Sequence, residues 1–220
     1  GRVFIPGDNL VKTVDAYNGT PLCELEVPDS RRVASLKSGG HMLVTNDLLY
    51  VGVEGQCWGV DVATGERKLT LKAPQLDKDR HDWGYLDCVD NVLIGTGQKA
   101  DASFSELSKN MVDVIEGDFR PVIVSQYLFA LNRHKGSKLW TYHSLSSGDK
   151  LCGGAIMNNA IAAAGGRVYC VESRNEKALS NADGRMRIDD FCASGAFLVA
   201  LDLKSGKKVW DRPVALPFQH

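Results

Sequence analysis

An Asp or Asn preceded by Val or Leu, followed four residues later by Gly and four residues after that by Cys, Leu or Trp, occurs four times in this 220-residue chain. The copies are Asp15/Gly19/Cys23, Asp61/Gly65/Leu69, Asn132/Gly136/Trp140 and Asp202/Gly206/Trp210. The residue before each Asp or Asn is Val14, Val60, Leu131 or Leu201, and the one before that is Thr13, Gly59, Ala130 or Ala200. A pattern that agrees in four registers at once belongs to stacked structural units rather than to one irregular core. Its physical content is a β-hairpin. The Asp or Asn side chain accepts hydrogen bonds from backbone N–H groups two residues on, and the glycine supplies the positive φ that closes a hairpin with a bulge.

The turn glycines are 46, 71 and 70 residues apart. The first spacing matches the roughly 40–50 residue period of propeller blades made of four short strands. The two longer spacings carry insertions, about 98–121 ("QKADASFSELSKNMVDVIEGDFRP") and about 173–194 ("SRNEKALSNADGRMRIDDFCAS"), both polar and partly helix-compatible. Each falls between the second and third strand of its unit. Apolar clustering and β-branched content predict strands over 41–46, 48–53, 56–62 and 66–72 in the second unit. The same reading predicts 85–90, 92–97, 126–132 and 137–142 in the third, and 157–164, 167–172, 196–202 and 207–211 in the fourth. The first unit begins at "RVFIP", the counterpart of a second strand, so its inner strand is missing, and "PVALPFQH" has the character of a following inner strand. The expectation is an all-β chain, residues 1–220 forming one β-propeller domain or part of one. It has three complete four-stranded antiparallel blades, one partial blade and two insertions.

"LFALNRHKGSKLW" and "LVALDLKSGKKVW", with "GRVYCVES" and "DLLYVGVEG" before them, resemble the repeat of the PQQ-like, quinoprotein-type β-propeller family. The resemblance spans nearly the whole chain outside the insertions. That family contains PQQ-dependent dehydrogenases, BamB-like assembly scaffolds and bacterial exported proteins, so the resemblance implies the fold and an extracytoplasmic, periplasmic location and leaves the activity open. Its rings close with more blades than are present here. The chain is therefore expected to be a fragment, a processed product, or one part of a propeller completed by another segment or chain.

A dehydrogenase of the family would carry a vicinal Cys-Cys disulfide, a tryptophan platform, and an Asp base beside calcium held by Glu and Asn. This chain has six cysteines, none adjacent. The reading is therefore a non-catalytic scaffold that binds a ligand or a protein, with no cofactor; the alternative is part of a PQQ- and calcium-dependent dehydrogenase, or an accessory propeller of a larger enzyme. The partner is a protein or another part of the same propeller. The 26 basic and 27 acidic residues lack the cationic excess that phosphate backbones reward, which argues against nucleic acid, and no run of about 20 apolar residues offers a membrane span.

The cysteines show no CxxC spacing, which argues against a zinc or redox motif. At strand positions they act as small hydrophobes, although Cys170 and Cys192 bracket the second insertion and are placed to be bridged in an oxidising compartment. The four turn Asp and Asn residues recur in every unit, so they read as turn caps rather than a metal or catalytic set. Trp140 and Trp210 read as packing between blades.

The segment that does not repeat is "DRHDWGYLDC", residues 79–88. It places His81, Asp82, Trp83 and Tyr85 just before an inner strand, at the entrance to the central channel, and is the best site candidate. The competing reading, and the commoner one for such residues, has Trp83 plugging the gap between blades and His81 and Asp82 as solvated loop residues. Arg120 and Arg174, on the insertion edges, are candidates to grip an anion through a bidentate fork.

Overall fold

The computed structural model describes residues 1–7, 9–28, 42–102, 122–143, 145–147, 150–152, 154–175, 177–181, 184–193 and 195–214. The first blade is β1 (Arg2–Gly7), β2 (Leu10–Asp15) and β3 (Pro21–Glu26), and the second is β4 (Met42–Val44), β5 (Leu48–Val53), β6 (Gln56–Asp61) and β7 (Arg67–Lys72). The third is β8 (His81–Val89), β9 (Val92–Lys99), β10 (Val122–Asn132) and β11 (Lys138–His143). A small hairpin, β12 (Leu145–Ser147) with β13 (Lys150–Cys152), follows it and was not foreseen. The fourth blade is β14 (Ala155–Ala164), β15 (Arg167–Ser173), β17 (Ala196–Asp202) and β18 (Lys208–Val214). Its insertion contributes β16 (Arg185–Met186) and the short helix α1 (Ile188–Cys192). Within each blade successive strands pair antiparallel, as the repeat requires, and β10 of the third blade also pairs antiparallel with β14 and β16 of the fourth.

The four hairpin turns are built alike. Gly19, Gly65, Gly136 and Gly206 have φ of +74°, +74°, +68° and +66°. Their N–H groups donate to the backbone carbonyls of Asp15, Asp61, Asn132 and Asp202 at 2.9, 2.9, 2.8 and 2.8 Å. The side-chain Oδ1 of the same residues accepts from Tyr17, Ala63, His134 and Ser205 N–H, among others. A register shift falls just before each turn, at Thr13/Val14, Gly59/Val60, Ala130/Leu131 and Ala200/Leu201. Asp and Asn therefore act here as turn caps, and the bulge lies where the sequence pattern puts it.

The core is a series of layers between blades. Val11 and Val27 of the first blade meet Leu49, Val51 and Val60 of the second. Tyr50, Cys57 and Leu71 meet Trp83, Tyr127 and Phe129 of the third. Ile94, Leu128 and Trp140 meet Ile156, Val199 and Leu201 of the fourth. Each blade thus buries its apolar face only against its neighbours, as in other repeat architectures. A fourth cluster, with Val124, Met157, Ala178, Met186 and Phe191, lies under the second insertion.

Several expectations are corrected. The inner strand of the third blade starts at His81, four residues before the predicted start, and β10 begins at Val122. Residues 81–83 are therefore strand residues rather than a loop before a strand. Cys170 and Cys192 are both free thiols. They belong to different core clusters, Cys170 between blades three and four and Cys192 beside Phe191 under the insertion, so no bridge forms. The first-unit strand "RVFIP" is β1, paired only with β2 among the described strands. The segment 215–220 and residues 103–121, with their predicted strand and helix, lie outside the described residues.

Candidate functional site

β8 is the strand on which the sequence candidates come together. Its polar start is 2% exposed at both His81 and Asp82, so neither is a solvated loop residue. His81 Nε2 lies 2.7 Å from Gln126 Oε1, and Nδ1 lies 3.1 Å from the Asp79 carbonyl oxygen. The imidazole also stands edge-on to Tyr127, with ring centroids 5.3 Å apart. Gln126 reaches it because β10 is irregular between Ser125 and Tyr127, a bulge that re-aims one side chain.

Asp82 accepts a hydrogen bond from Asp101 N–H at 2.7 Å, while its other oxygen faces Arg80 Nε at 3.6 Å. Burial is the main influence on this carboxyl and raises its pKa. Trp83 is 2% exposed and packs edge-on to Phe129 at 4.8 Å, where Gly95 leaves it room. It plugs the layer between blades two and three, which is the commoner of the two roles weighed from the sequence. Tyr85 is directed to Asp87, donating its hydroxyl at 3.0 Å, and packs toward the fourth blade.

A cavity of about 450 Å³ opens beside His81, lined also by Asp79, Arg80, Lys99, Ala100, Gln126 and Leu179. Its size falls within the range of small-ligand and side-chain pockets. The walls come from the start of β8, the end of β9, the bulge of β10 and the insertion of the fourth blade. Arg80, Lys99 and Gln126 offer donors, Asp79 an acceptor, and Ala100 with Leu179 an apolar patch. Together these groups can hydrogen-bond, pair with charge and make apolar contact with a bound group.

The bases of the two insertions are stitched together at this end. Arg185 donates from Nε and Nη2 to the Ala102 carbonyl at 3.1 and 3.0 Å, and Lys99 Nζ donates to the Asn181 carbonyl at 2.5 Å. β16 pairs with β10 through Val122↔Met186 and Ile123↔Arg185. Insertions from the same inter-strand position of adjacent blades thus meet, because equivalent loops of a propeller lie on one side.

Between the third and fourth blades lies a polar knot that composition could not reveal. Asn158 Oδ1 accepts from Ser125 Oγ at 2.5 Å and Thr96 Oγ1 at 3.0 Å, and its Nδ2 donates to Gln98 Oε1 at 2.9 Å. All four residues are at most 1% exposed. Gly84 closes over them, since a Cβ there would sit 2.5 Å from Asn158 Nδ2.

Arg174 is not free to grip an anion. It pairs with Glu172 at 3.2 Å and with Asp211, and its guanidinium lies 3.6 Å over the Phe197 ring. Glu172 is 1% exposed and also accepts from the Tyr142 hydroxyl at 2.7 Å. Arg120 lies outside the described residues.

Burial raises the Glu172 pKa above its ordinary 4.5, against the opposing pull of Tyr142 and Arg174. A carboxyl raised in the folded state holds its proton longer than in the unfolded chain. Its contribution to stability is complete below pH 4.5 and is lost as pH rises through the folded value. Glu172→Gln, which does not titrate, is expected to flatten that fall. Urea unfolding of both proteins from pH 4.5 to 7.5 checks it; identical slopes would show that Glu172 is not the group responsible.

A quinone and its calcium find no fit in this set. Among the described residues no three His, Cys, Asp or Glu side chains are grouped to hold a metal. No cysteines are adjacent in the chain, and Trp83, enclosed by Phe129 and Gly95, presents no open face as a platform.

A family model described as outer membrane protein assembly factor BamB matches residues 7–220. No curated protein matches the chain in sequence. The fold is similar to that of quinohemoprotein alcohol dehydrogenase ADHIIG from Pseudomonas putida HK5, at 14% identity and a TM-score of 0.61, covering 96% of this chain and 32% of that one. It is also similar to a europium-containing methanol dehydrogenase, at 11% identity and a TM-score of 0.56, covering 96% and 39%. BamB from Moraxella catarrhalis aligns at 14% identity and a TM-score of 0.47, covering 96% and 61%. The chain spans about a third of the length of the two dehydrogenases, and at these identities the likeness is one of fold.

Proposed function

We propose, from the premise that this chain belongs to the family of outer membrane protein assembly factor BamB, that it is a non-catalytic binding scaffold whose insertion-bearing end receives a protein partner. One observation carries the reading: the insertions of adjacent blades are bonded to each other through Arg185 and Ala102 and through Lys99 and Asn181, around a cavity. Long insertions that are merely tolerated have no reason to be tied together, whereas a binding surface gains from being pre-organised. Among the described residues no helix is long and apolar enough to cross a membrane, and an extracytoplasmic setting accords with the family.

Ala100 lies in the cavity wall outside the buried knot. Ala100→Trp is expected to fill the cavity, leave the circular dichroism and melting curve unchanged, and weaken a co-purifying protein partner by tenfold or more. The check is quantitative mass spectrometry of complexes isolated from the source cells with each form. Undiminished binding to the variant would remove the cavity from the interface. Dye reduction with an alcohol after addition of PQQ and calcium would replace the scaffold reading by the dehydrogenase one.

A further inference from the structure

The two ring nitrogens of His81 meet oxygens on opposite sides, and that fixes what Gln126 must do when the ring gains or loses a proton. Nδ1 lies 3.1 Å from the Asp79 carbonyl oxygen, which can only accept, so Nδ1 carries a proton. The loop that supplies this carbonyl is itself held, since the Asp79 N–H donates to Asp77 Oδ1 at 3.0 Å. On the other side, Nε2 lies 2.7 Å from Gln126 Oε1. An amide oxygen at that distance requires a second proton, on Nε2. A neutral ring with its proton on Nδ1 has a lone pair at Nε2 instead, and it can bond Gln126 only if the amide turns over and donates.

The ring has little room to answer by moving. It is 2% exposed and stands edge-on to Tyr127, whose hydroxyl donates to the Pro74 carbonyl at 2.6 Å. Gln126 is the member that can turn: it is half-buried on the bulge of β10, no other side-chain bond ties it to a described residue, and it forms part of the cavity wall. The charged and titratable groups around the ring are of both signs. Asp77 Oδ1 lies 3.6 Å from Nδ1. Asp79 and Arg80 precede the ring in the chain, with Arg80 directed to Asp82 and Asp101. Lys99 pairs across from it on β9 and donates to the Asn181 carbonyl. Glu54 of the second blade accepts the neighbouring Trp83 N–H through its carbonyl, and His143 of β11 stands against the same Tyr127 ring.

We propose that the proton on His81 Nε2 decides which kind of group the cavity takes, on the reading that the cavity belongs to the partner surface. With the proton present, Gln126 keeps its oxygen on the ring and offers its amide N–H groups to the cavity. These add to the donors Lys99 and Arg80, and the wall takes a carboxylate. With the proton gone, the amide turns over and sets its oxygen on the same wall as the Asp79 carboxylate, and the wall takes a hydrogen-bond donor instead. Because coupling is reciprocal, a bound carboxylate holds the proton on the ring as strongly as the proton favours the carboxylate.

The test is heteronuclear nitrogen NMR of the isotope-labelled chain over about pH 5 to 8, where imidazoles titrate, which reads the proton on each ring nitrogen separately. The expected result is an Nδ1 that stays protonated throughout and an Nε2 that loses its proton as pH rises. The Gln126 side-chain amide resonance should move with the same midpoint. Sodium acetate, with sodium chloride as control, is the carboxylate probe, and it should shift both resonances at the low end and neither at the high end. Gln126→Glu, at a half-buried position, replaces the turning amide by a fixed acceptor and should hold Nε2 protonated to about one pH unit higher. The proposal would be overturned by an Nε2 that does not titrate, by a Gln126 amide indifferent to the His81 midpoint, or by a Gln126→Glu midpoint equal to the native one. Acetate acting equally, or not at all, at both ends would overturn it as well. None of these readouts involves a protein partner, so their failure leaves the scaffold reading standing, and undiminished partner binding to Ala100→Trp leaves the ring and the amide coupled.

Discussion

Trp140→Ala is expected to cost about 4 kcal/mol, the scale of truncating a buried tryptophan and leaving a cavity. The indole is almost fully enclosed, packs with Leu128, Ile156 and Leu201 across the joint between blades three and four, and supports the glycine turn of the fourth blade. The variant also leaves the Leu203 carbonyl without its donor. Because each blade leans only on its neighbours, the loss should be local. The unfolding curve is expected to split, with the fourth blade melting first. Trp140→Phe should sit between the two, keeping most of the apolar area and losing the hydrogen bond. Denaturant unfolding read at both far-ultraviolet circular dichroism and fluorescence decides it. A loss below about 1 kcal/mol would mean that the outer-strand tryptophan is decoration rather than the lock of the joint.

Asn158→Leu is expected to be nearly as costly, about 3–5 kcal/mol, for a different reason. The shape is conserved and apolar bulk is gained, yet Ser125, Thr96 and Gln98 each lose their bond to the amide. A buried polar group left unsatisfied costs about 1–3 kcal/mol. The replacement cannot shift to admit water, since Gly84 lies directly above. Adding Ser125→Ala to the same protein should recover part of the loss, because that orphaned hydroxyl then disappears, whereas Thr96 is still needed to accept the Tyr85 N–H at 2.9 Å. Calorimetric or urea-derived stabilities of the single and double variants provide the comparison. A harmless Asn158→Leu would show that the knot is not closed as described.

Both effects bear on function through rigidity. The knot lies between the strand that carries His81 and the blade whose insertion supplies Leu179, and the tryptophan lock holds those blades in register. Softening either is expected to loosen the cavity before it unfolds the protein, so affinity for the proposed partner would respond to small destabilisation.

Much of the fold was legible in the sequence because its turns are local. Asp15, Asp61, Asn132 and Asp202 satisfy backbone groups within four residues of themselves, so the residue types alone announce the hairpin. The candidate site was legible only in outline. "DRHDWG" reads as a polar loop, and nothing local says that β8 begins at His81. Its burial comes from Gln126 on a bulge 45 residues later, and the cavity beside it is walled by Leu179 of the next blade. Arg174 read as a candidate anion grip because Asp211, which completes its pairing beside the local Glu172, becomes a neighbour only when β15 and β18 flank β17.

The sequence by itself determined the repeat, the hairpin chemistry and the blade count, all resting on bonds spanning a few residues. The tertiary structure alone decided which polar groups are buried together, that Cys170 and Cys192 stay apart, and that the two insertions meet. Those outcomes depend on contacts between residues 33 to 83 positions apart, as between Ser125 and Asn158 or Arg185 and Ala102. Such contacts leave no periodic trace in a single chain, because burial is conferred by the neighbouring blade and not by the residue itself.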